Sequence, residues 1–295
     1  MHRSTIRSST MRVLLKLIIL DMLFLSAAMG AELAALEAKG LKFKKAKDGA
    51  VIEVYVGANA TMAPAEYQAI GEFRDTLMRV NLSPDKPRLN GEILAAIGPL
   101  PKVEQFFGNG AELLDEDFRH FSGWTSLKNF GLDHWGWFKT PNNQNVGPGL
   151  AHLAALPHLE ELRLGGCRVG DPAIEAVSKI STLKALDIFH LGYTDEGVAA
   201  LRSLKKLTKL RINGGRLTNE SLEYVSGIES LEMLTISEMK VDYAGGFEHL
   251  KKLRNLKKIE LERVKTGDDD VSKLKADHPA AEVTWTKPAD RPESR

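Results

Sequence analysis

The stretch LEELRLGGCRVGDPAIEAVSKISTLKALDIFH, residues 159–190, decides how the whole chain is read. Leu159, Leu162 and Leu164 stand in the pattern L-x-x-L-x-L, and Leu183, Leu186 and Ile188 repeat it 24 residues later. Between the two triplets Asp171 is followed by Ile174, Val177 and Ile180, apolar residues at three-residue steps. The first half of the unit alternates as a half-buried strand does, and the second half carries one helical stripe. A short strand and a short helix cannot bury their apolar sides alone, so such units must stack and share one core.

The same unit runs in both directions. Downstream come Leu207, Leu210, Ile212, then Leu231, Leu234, Ile236, and one residue beyond the period Leu256, Ile259, Leu261. Upstream lie Leu127, Phe130, Leu132, then Val103, Phe106, Gly108, then Leu77, Val80, Leu82 and Val51, Val54, Val56. Val283 and Trp285 close the series, which predicts ten strands. Asp115, Asp171, Asp195, Asn219 and Asp268 each fall 12 residues after the first apolar position, where a short side-chain oxygen is expected to cap a helix start. Phe118, Phe121 and Trp124, Val198, Leu201 and Leu204, and Leu222, Val225 and Ile228 supply further helical stripes.

On these residues the chain resembles leucine-rich repeat proteins of the 24-residue, ribonuclease-inhibitor-like kind, over Val51 to Trp285. The resemblance implies an α/β solenoid, a horseshoe with a parallel sheet on its concave face and short helices on its convex face. Cys167 occupies a position where that family commonly has Asn or Cys, whereas Leu191, Gly215, Met239 and Val264 depart from it. Residues 31–50, with ELAALEAKG, resemble the N-terminal cap of secreted bacterial repeat proteins, and 51–285 form the repeat domain. Residues 286–295 are polar and contain Pro, a tail expected to be disordered.

Residues 1–30 have the order of a signal peptide: Arg3, Arg7, Arg12 and Lys16, the apolar run Leu17 to Leu25, then Ala28 and Gly30 before Ala31. A start at Met11 gives a tidier signal, without the first ten residues. The run is too short to span a bilayer, so a secreted or periplasmic protein with no stable membrane span after cleavage is expected. Across the chain 40 Lys and Arg balance 39 Asp and Glu, which argues against a nucleic-acid partner. A single cysteine excludes an internal disulfide framework and any multi-thiolate metal site.

In such a solenoid the x positions of the strand pattern face outward, and ten strands give a face on the order of 45 Å long. One outward column reads Tyr55, Asn81, Phe107, Gly131, Arg163, Asp187, Arg211, Thr235, Glu260, and the next Ser83, Asn109, Asp133, Gly165, Phe189, Asn213, Ser237, Glu262. Phe107, Arg163, Asp187, Phe189 and Arg211 therefore gather in mid-face, with Asp133, His134 and His190 alongside. Exposed aromatic rings beside arginines are what protein interfaces enrich. The plainer alternative is that the arginines and Asp187 neutralise one another across adjacent strands.

The interval from Leu127 to Leu159 is 32 residues, and its excess falls in an enlarged loop, 133–149, that carries Trp135 and Trp137. These rings suit either glycan stacking or the filling of a core gap near Gly108. The basic run Lys205, Lys206, Lys209, Lys251, Lys252, Arg254, Lys257, Lys258 reads as a solvated edge. No nucleotide, hydrolase or metalloprotease signature occurs, and no cofactor is expected. His134 and His190 are two strand spacings apart, about 10 Å, too far to share a metal. The sequence thus reads as a non-catalytic exported scaffold that binds a protein through its concave face. A glycan or cell-envelope polymer bound by the Trp135/Trp137 loop is the alternative. An F-box-type adaptor for ubiquitin ligation is a second, for which no F-box segment is found.

Overall fold

A computed structural model describes residues 30–135, 147–167, 169–214 and 216–288. Its eleven strands form one sheet in chain order. They are β1 (Leu41–Lys45), β2 (Val51–Val56), β3 (Arg79–Leu82), β4 (Gln105–Asn109), β5 (Asn129–Asp133), β6 (Glu161–Gly165), β7 (Ala185–Phe189), β8 (Lys209–Asn213), β9 (Met233–Ser237), β10 (Lys258–Glu262) and β11 (Glu282–Thr286). From β2 onward every pairing is parallel and in step, so that Leu162, Leu186, Leu210, Leu234 and Ile259 form one inward row. Parallel neighbours need a crossover, and the second half of each repeat supplies it as a short helical segment.

The ten strands of the repeat pattern correspond to β2–β11. β1 is an addition: it runs antiparallel to β2, with Leu41 beside Val56 and Phe43 beside Val54. Residues 30–38 form a helix whose Leu33 and Leu36 are buried, so helix and hairpin together close the first end of the core. The strand pattern LKFKK alternates with a period of two but lacks the spacing of the repeats.

The helical halves split into two kinds. Gly91–Ile97, Gly170–Val177, Asp195–Ala200, Glu220–Val225 and Asp268–Asp277 are α-helical, whereas Asp115–Gly123, Pro148–Ala155 and Phe247–Lys252 are 3-10. A three-residue step between Phe118, Phe121 and Trp124 suits three residues per turn, because all three then share one side. Those rings pack with Phe106 and Phe130, and Phe106 meets Phe121 edge-on with centroids 4.9 Å apart.

The expected caps turn out to be ties between repeats. Asp171 Oδ1 accepts from the Thr194 amide at 2.7 Å and its Oδ2 from the Thr194 hydroxyl at 2.9 Å. Asp195 holds Thr218 in the same way, at 3.0 and 2.7 Å. Asn219 and Asp242 exchange bonds through Asn219 Nδ2 and the Asp242 amide, and Asp115 Oδ1 accepts from the amides of Gly147 and Gly149. None of these four caps its own helix; each side chain bonds to the next repeat instead. Asp268 differs again, since its carboxylate meets Lys287 at 2.8 Å.

Cys167 is fully buried, as are Leu191, Met239 and Val264 at the corresponding place in later repeats. Burial pushes the Cys167 thiol up to about 12. The last layer ends on Trp285, which is half-buried and donates from Nε1 to the Val264 carbonyl at 3.1 Å. Three residues of the basic run are paired: Lys257 with Glu232, Lys258 with Glu260 and Lys251 with Asp277. Among the described residues no helix is long and apolar enough to cross a membrane.

Candidate functional site

The outward side chains of β1 to β10 line one continuous groove of about 860 Å³. Arg163, Asp187 and Arg211 line it from β6, β7 and β8, and with Phe189 at the end of β7 they form a single cluster. Arg163 Nη1 donates to Asp187 Oδ2 at 2.8 Å, and its Nη2 lies 3.3 Å from Asp133 Oδ2 on β5. Arg211 stands on the other side of Asp187, with Nε 3.8 Å from Asp187 Oδ1, and reaches Glu262 Oε2 on β10 at 2.6 Å. The result is an alternating row of acid and base across the sheet, Asp133, Arg163, Asp187, Arg211, Glu262. Charge neutralisation across strands, the plainer of the two sequence expectations, is therefore realised. Burial raises the Asp187 carboxyl above its ordinary value, against the opposing pull of Arg163 and Arg211.

Neutralisation does not use up the arginines. Phe189 lies between them: the Arg163 guanidinium carbon sits 4.6 Å from the ring centroid and that of Arg211 5.9 Å. The ring has room because the neighbouring strand has glycine at position 165, where an added Cβ would fall 2.0 Å from Phe189 Cζ. Gly131 serves Phe107 in the same way, with an added Cβ 2.8 Å from its Cδ2. Arg163 keeps 44% of its side chain exposed despite two ion pairs. Toward the first end, Tyr55 is 42% exposed and Lys42 stands over its ring at 5.8 Å.

A second node borders the first at the far ends of the strands. His190 Nε2 and Glu238 Oε2 are 2.7 Å apart, Asn213 Nδ2 donates to the same oxygen at 3.1 Å, and Arg263 Nε donates to Glu238 Oε1 at 2.9 Å. The hydrogen bond from His190 leads the causes that hold the Glu238 carboxyl down at about 2, with those from Asn213 and Arg263 adding to it. His134, His190, Glu238 and Arg263 all adopt positive φ, between 53° and 55°, directly after their strands. This shared turn projects their side chains along the rim of the groove.

The structure thus brings Asp133, Arg163, Asp187, Phe189, His190 and Arg211 together and leaves Phe107 on β4, beside the strand of Asp133 and two strands from Arg163. His134 turns toward β4, its Nδ1 2.8 Å from Asn109 Oδ1. Trp135 corrects an expectation: it is fully buried, its Nε1 donates to the Leu113 carbonyl at 2.8 Å and its ring meets Phe118 edge-on at 4.9 Å. The aromatic layer around Phe106 needs a large side chain there, so this ring is a core member and offers no stacking face. Trp137 lies outside the described residues. Glu238, Arg263 and Glu262 join the site without having been singled out in sequence; only the shared turn after each strand, which no strand pattern encodes, places the first two.

Comparison with known proteins agrees with this architecture. The family model described as Leucine Rich repeat matches residues 155–178. No curated protein matches the chain. Among solved structures, internalin C2 from Listeria monocytogenes aligns with a TM-score of 0.54 at 16% identity, over 76% of this chain and 93% of its own. TLR13, solved in complex with ssRNA13, aligns with a TM-score of 0.51 at 16% identity over 83% of this chain, which spans only 40% of the TLR13 chain. Identities at this level speak for fold alone. With its repeat match over residues 155–178, its in-register parallel sheet and its helical crossovers, the chain has the fold of leucine-rich repeat proteins.

Proposed function

We propose that this protein is an exported, non-catalytic scaffold that grips a protein partner through its concave face. The observation that carries this reading is the Arg163–Phe189–Arg211 cluster, in which both arginines line the groove and the half-buried Phe189 ring stands beside them at its edge. Rings and guanidinium groups fixed in this way offer large contact area with little side-chain entropy left to lose on binding. Phe107 and Tyr55 extend the same surface toward the first end of the sheet. The apolar run and small-residue site before Ala31 support export, tested by N-terminal sequencing of the protein recovered outside the cytoplasm. Polymer binding through the tryptophan loop loses one of its two rings to the core.

The test is affinity capture with the immobilised chain beside the double variant Arg163→Glu, Phe189→Ala, both checked for folding by circular dichroism. A protein retained by the wild type and lost by the variant is the expected result. Equal recovery by both forms would remove the cluster from the binding surface.

A further inference from the structure

The two ends of the sheet are closed in different ways. β1 carries Lys42, Lys44 and Lys45, with Lys47 just beyond. A second copy laid antiparallel along such a strand would set lysine against lysine, a common device against strand addition. β11 reads Glu282, Val283, Thr284, Trp285, Thr286 and carries no lysine within the strand; Lys287, directly after it, stands over the Trp285 ring at 4.5 Å and pairs with Asp268 of its own chain. Among the described residues nothing pairs with its outer side.

Hydrogen bonding fixes which residues face outward. The Glu282 amide donates to Lys257 at 2.9 Å and the Thr286 carbonyl accepts from the Arg263 amide at 2.7 Å, so the even-numbered residues of β11 face β10. Val283 and Trp285 therefore turn their N–H and C=O groups to the free side. The same two residues supply the last apolar layer of the core. Their counterparts on β10, Ile259 and Leu261, are 0% and 1% exposed, whereas Val283 and Trp285 are only half-buried. Unmade main-chain bonds and an unfinished core coincide on one strand.

We propose that a second copy of the chain completes this edge, β11 lying antiparallel to β11 about a two-fold axis through Thr284. In that register Val283 faces Trp285 of the second copy, and each such pair exchanges two N–H···O=C bonds. Both outward-facing residues are satisfied at once. Thr284 meets Thr284 and Glu282 meets Thr286, so no like charges oppose, and hydroxyl and carboxylate are suited to bond. The contact is isologous and closes on itself, giving a dimer and not a fibre. It joins the two sheets into one and sets two copies of the groove side by side. The proposal is independent of what the groove binds.

Thr284 occupies the non-hydrogen-bonded position of this pairing, where opposed Cα atoms approach to about 4.5 Å, a separation that a disulfide accepts. Mild oxidation of purified Thr284→Cys is expected to give a covalent dimer, while Glu282→Cys and Thr286→Cys, which do not face themselves, give little. Cys167 does not compete, being fully buried. Sedimentation velocity is expected to show a concentration-dependent dimer for the wild type. Thr284→Lys changes an exposed side chain, leaves the β10–β11 bonds in place, and is expected to raise the dimer dissociation constant roughly tenfold or more by opposing two lysines. A wild type that stays monomeric at every soluble concentration, equal cross-linking at all three positions, or a dimer indifferent to Thr284→Lys would each overturn the proposal.

Discussion

A methyl group at position 165 would lie 2.0 Å from Phe189 Cζ and 2.5 Å from Asp133 Oδ1, so the ring that stands beside Arg163 and Arg211 depends on a glycine one strand away. Gly165→Ala is expected to push Phe189 out from between the two guanidinium groups and to cost about 1–3 kcal/mol, as overpacking does. Chemical denaturation reads the stability, and affinity capture reads the lost surface; an unchanged midpoint would contradict the packing described. Glu238 makes a second residue-scale prediction. Its carboxyl sits at about 2 in the folded chain against an ordinary 4.5, because His190 and then Asn213 and Arg263 bond its ionised form. Between those values the folded state binds fewer protons than the unfolded one. The stabilisation is therefore complete above pH 4.5 and is lost as pH falls toward 2. Glu238→Gln should flatten that portion of the acid-unfolding profile, and a profile identical to wild type would remove Glu238 from the account. Arg163, Asp187, Phe189 and Arg211 were legible in the sequence because strand alternation puts them in adjacent outward columns. Glu238 and Arg263 were not, since they lie past the strand ends at φ 55° and 53°, where the alternation no longer says which way a side chain points.

At the scale of elements, the repeats are held to one another by more than their leucines. The Asp171–Thr194 and Asp195–Thr218 pairs each join two short helical segments through a main-chain amide and a hydroxyl. Asp195 is buried to 8% exposure, so Asp195→Ala strands a Thr218 amide and hydroxyl together. A loss of about 1–3 kcal/mol is expected from thermal or urea denaturation, whereas a helix cap of the ordinary kind would leave Thr218 untouched. Hydrogen exchange at the Thr218 amide separates the two cases: faster exchange in the variant supports the tie, and an unaltered rate contradicts it. The parallel strands were readable because nearly all their units carry three apolar positions whose spacing recurs. β1 was not, because its one apolar alternation, Leu41 and Phe43, belongs to a hairpin outside the period. Position alone suggests caps for the aspartates, but it cannot tell a bond to the residue's own helix from one to the next repeat, which Asp115, Asp171 and Asp195 make. Trp135 shows the same limit, since a ring near a glycine-bearing loop fits a binding surface and a core equally well until Leu113 and Phe118 are seen to enclose it.

The whole molecule is a stack in which each repeat touches its neighbours, so the core is continuous while the two ends and one face carry what is individual to the chain. Its first end is covered by a helix and a lysine-bearing hairpin, and its last by a strand with half-covered apolar residues. Between them the groove runs from Lys42 and Tyr55 through Phe107 to Arg163, Asp187, Arg211 and Glu260. The central claim is that this face, and not the helical side, meets the partner. It is tested most directly by site-specific photocross-linking, with a benzophenone side chain placed in turn at Phe107 and Glu161 in the groove and at Glu223 on the opposite, helical side. Covalent capture of one and the same protein from both groove positions, with none from position 223, is the predicted result. Capture from position 223 with none from the groove would contradict the account.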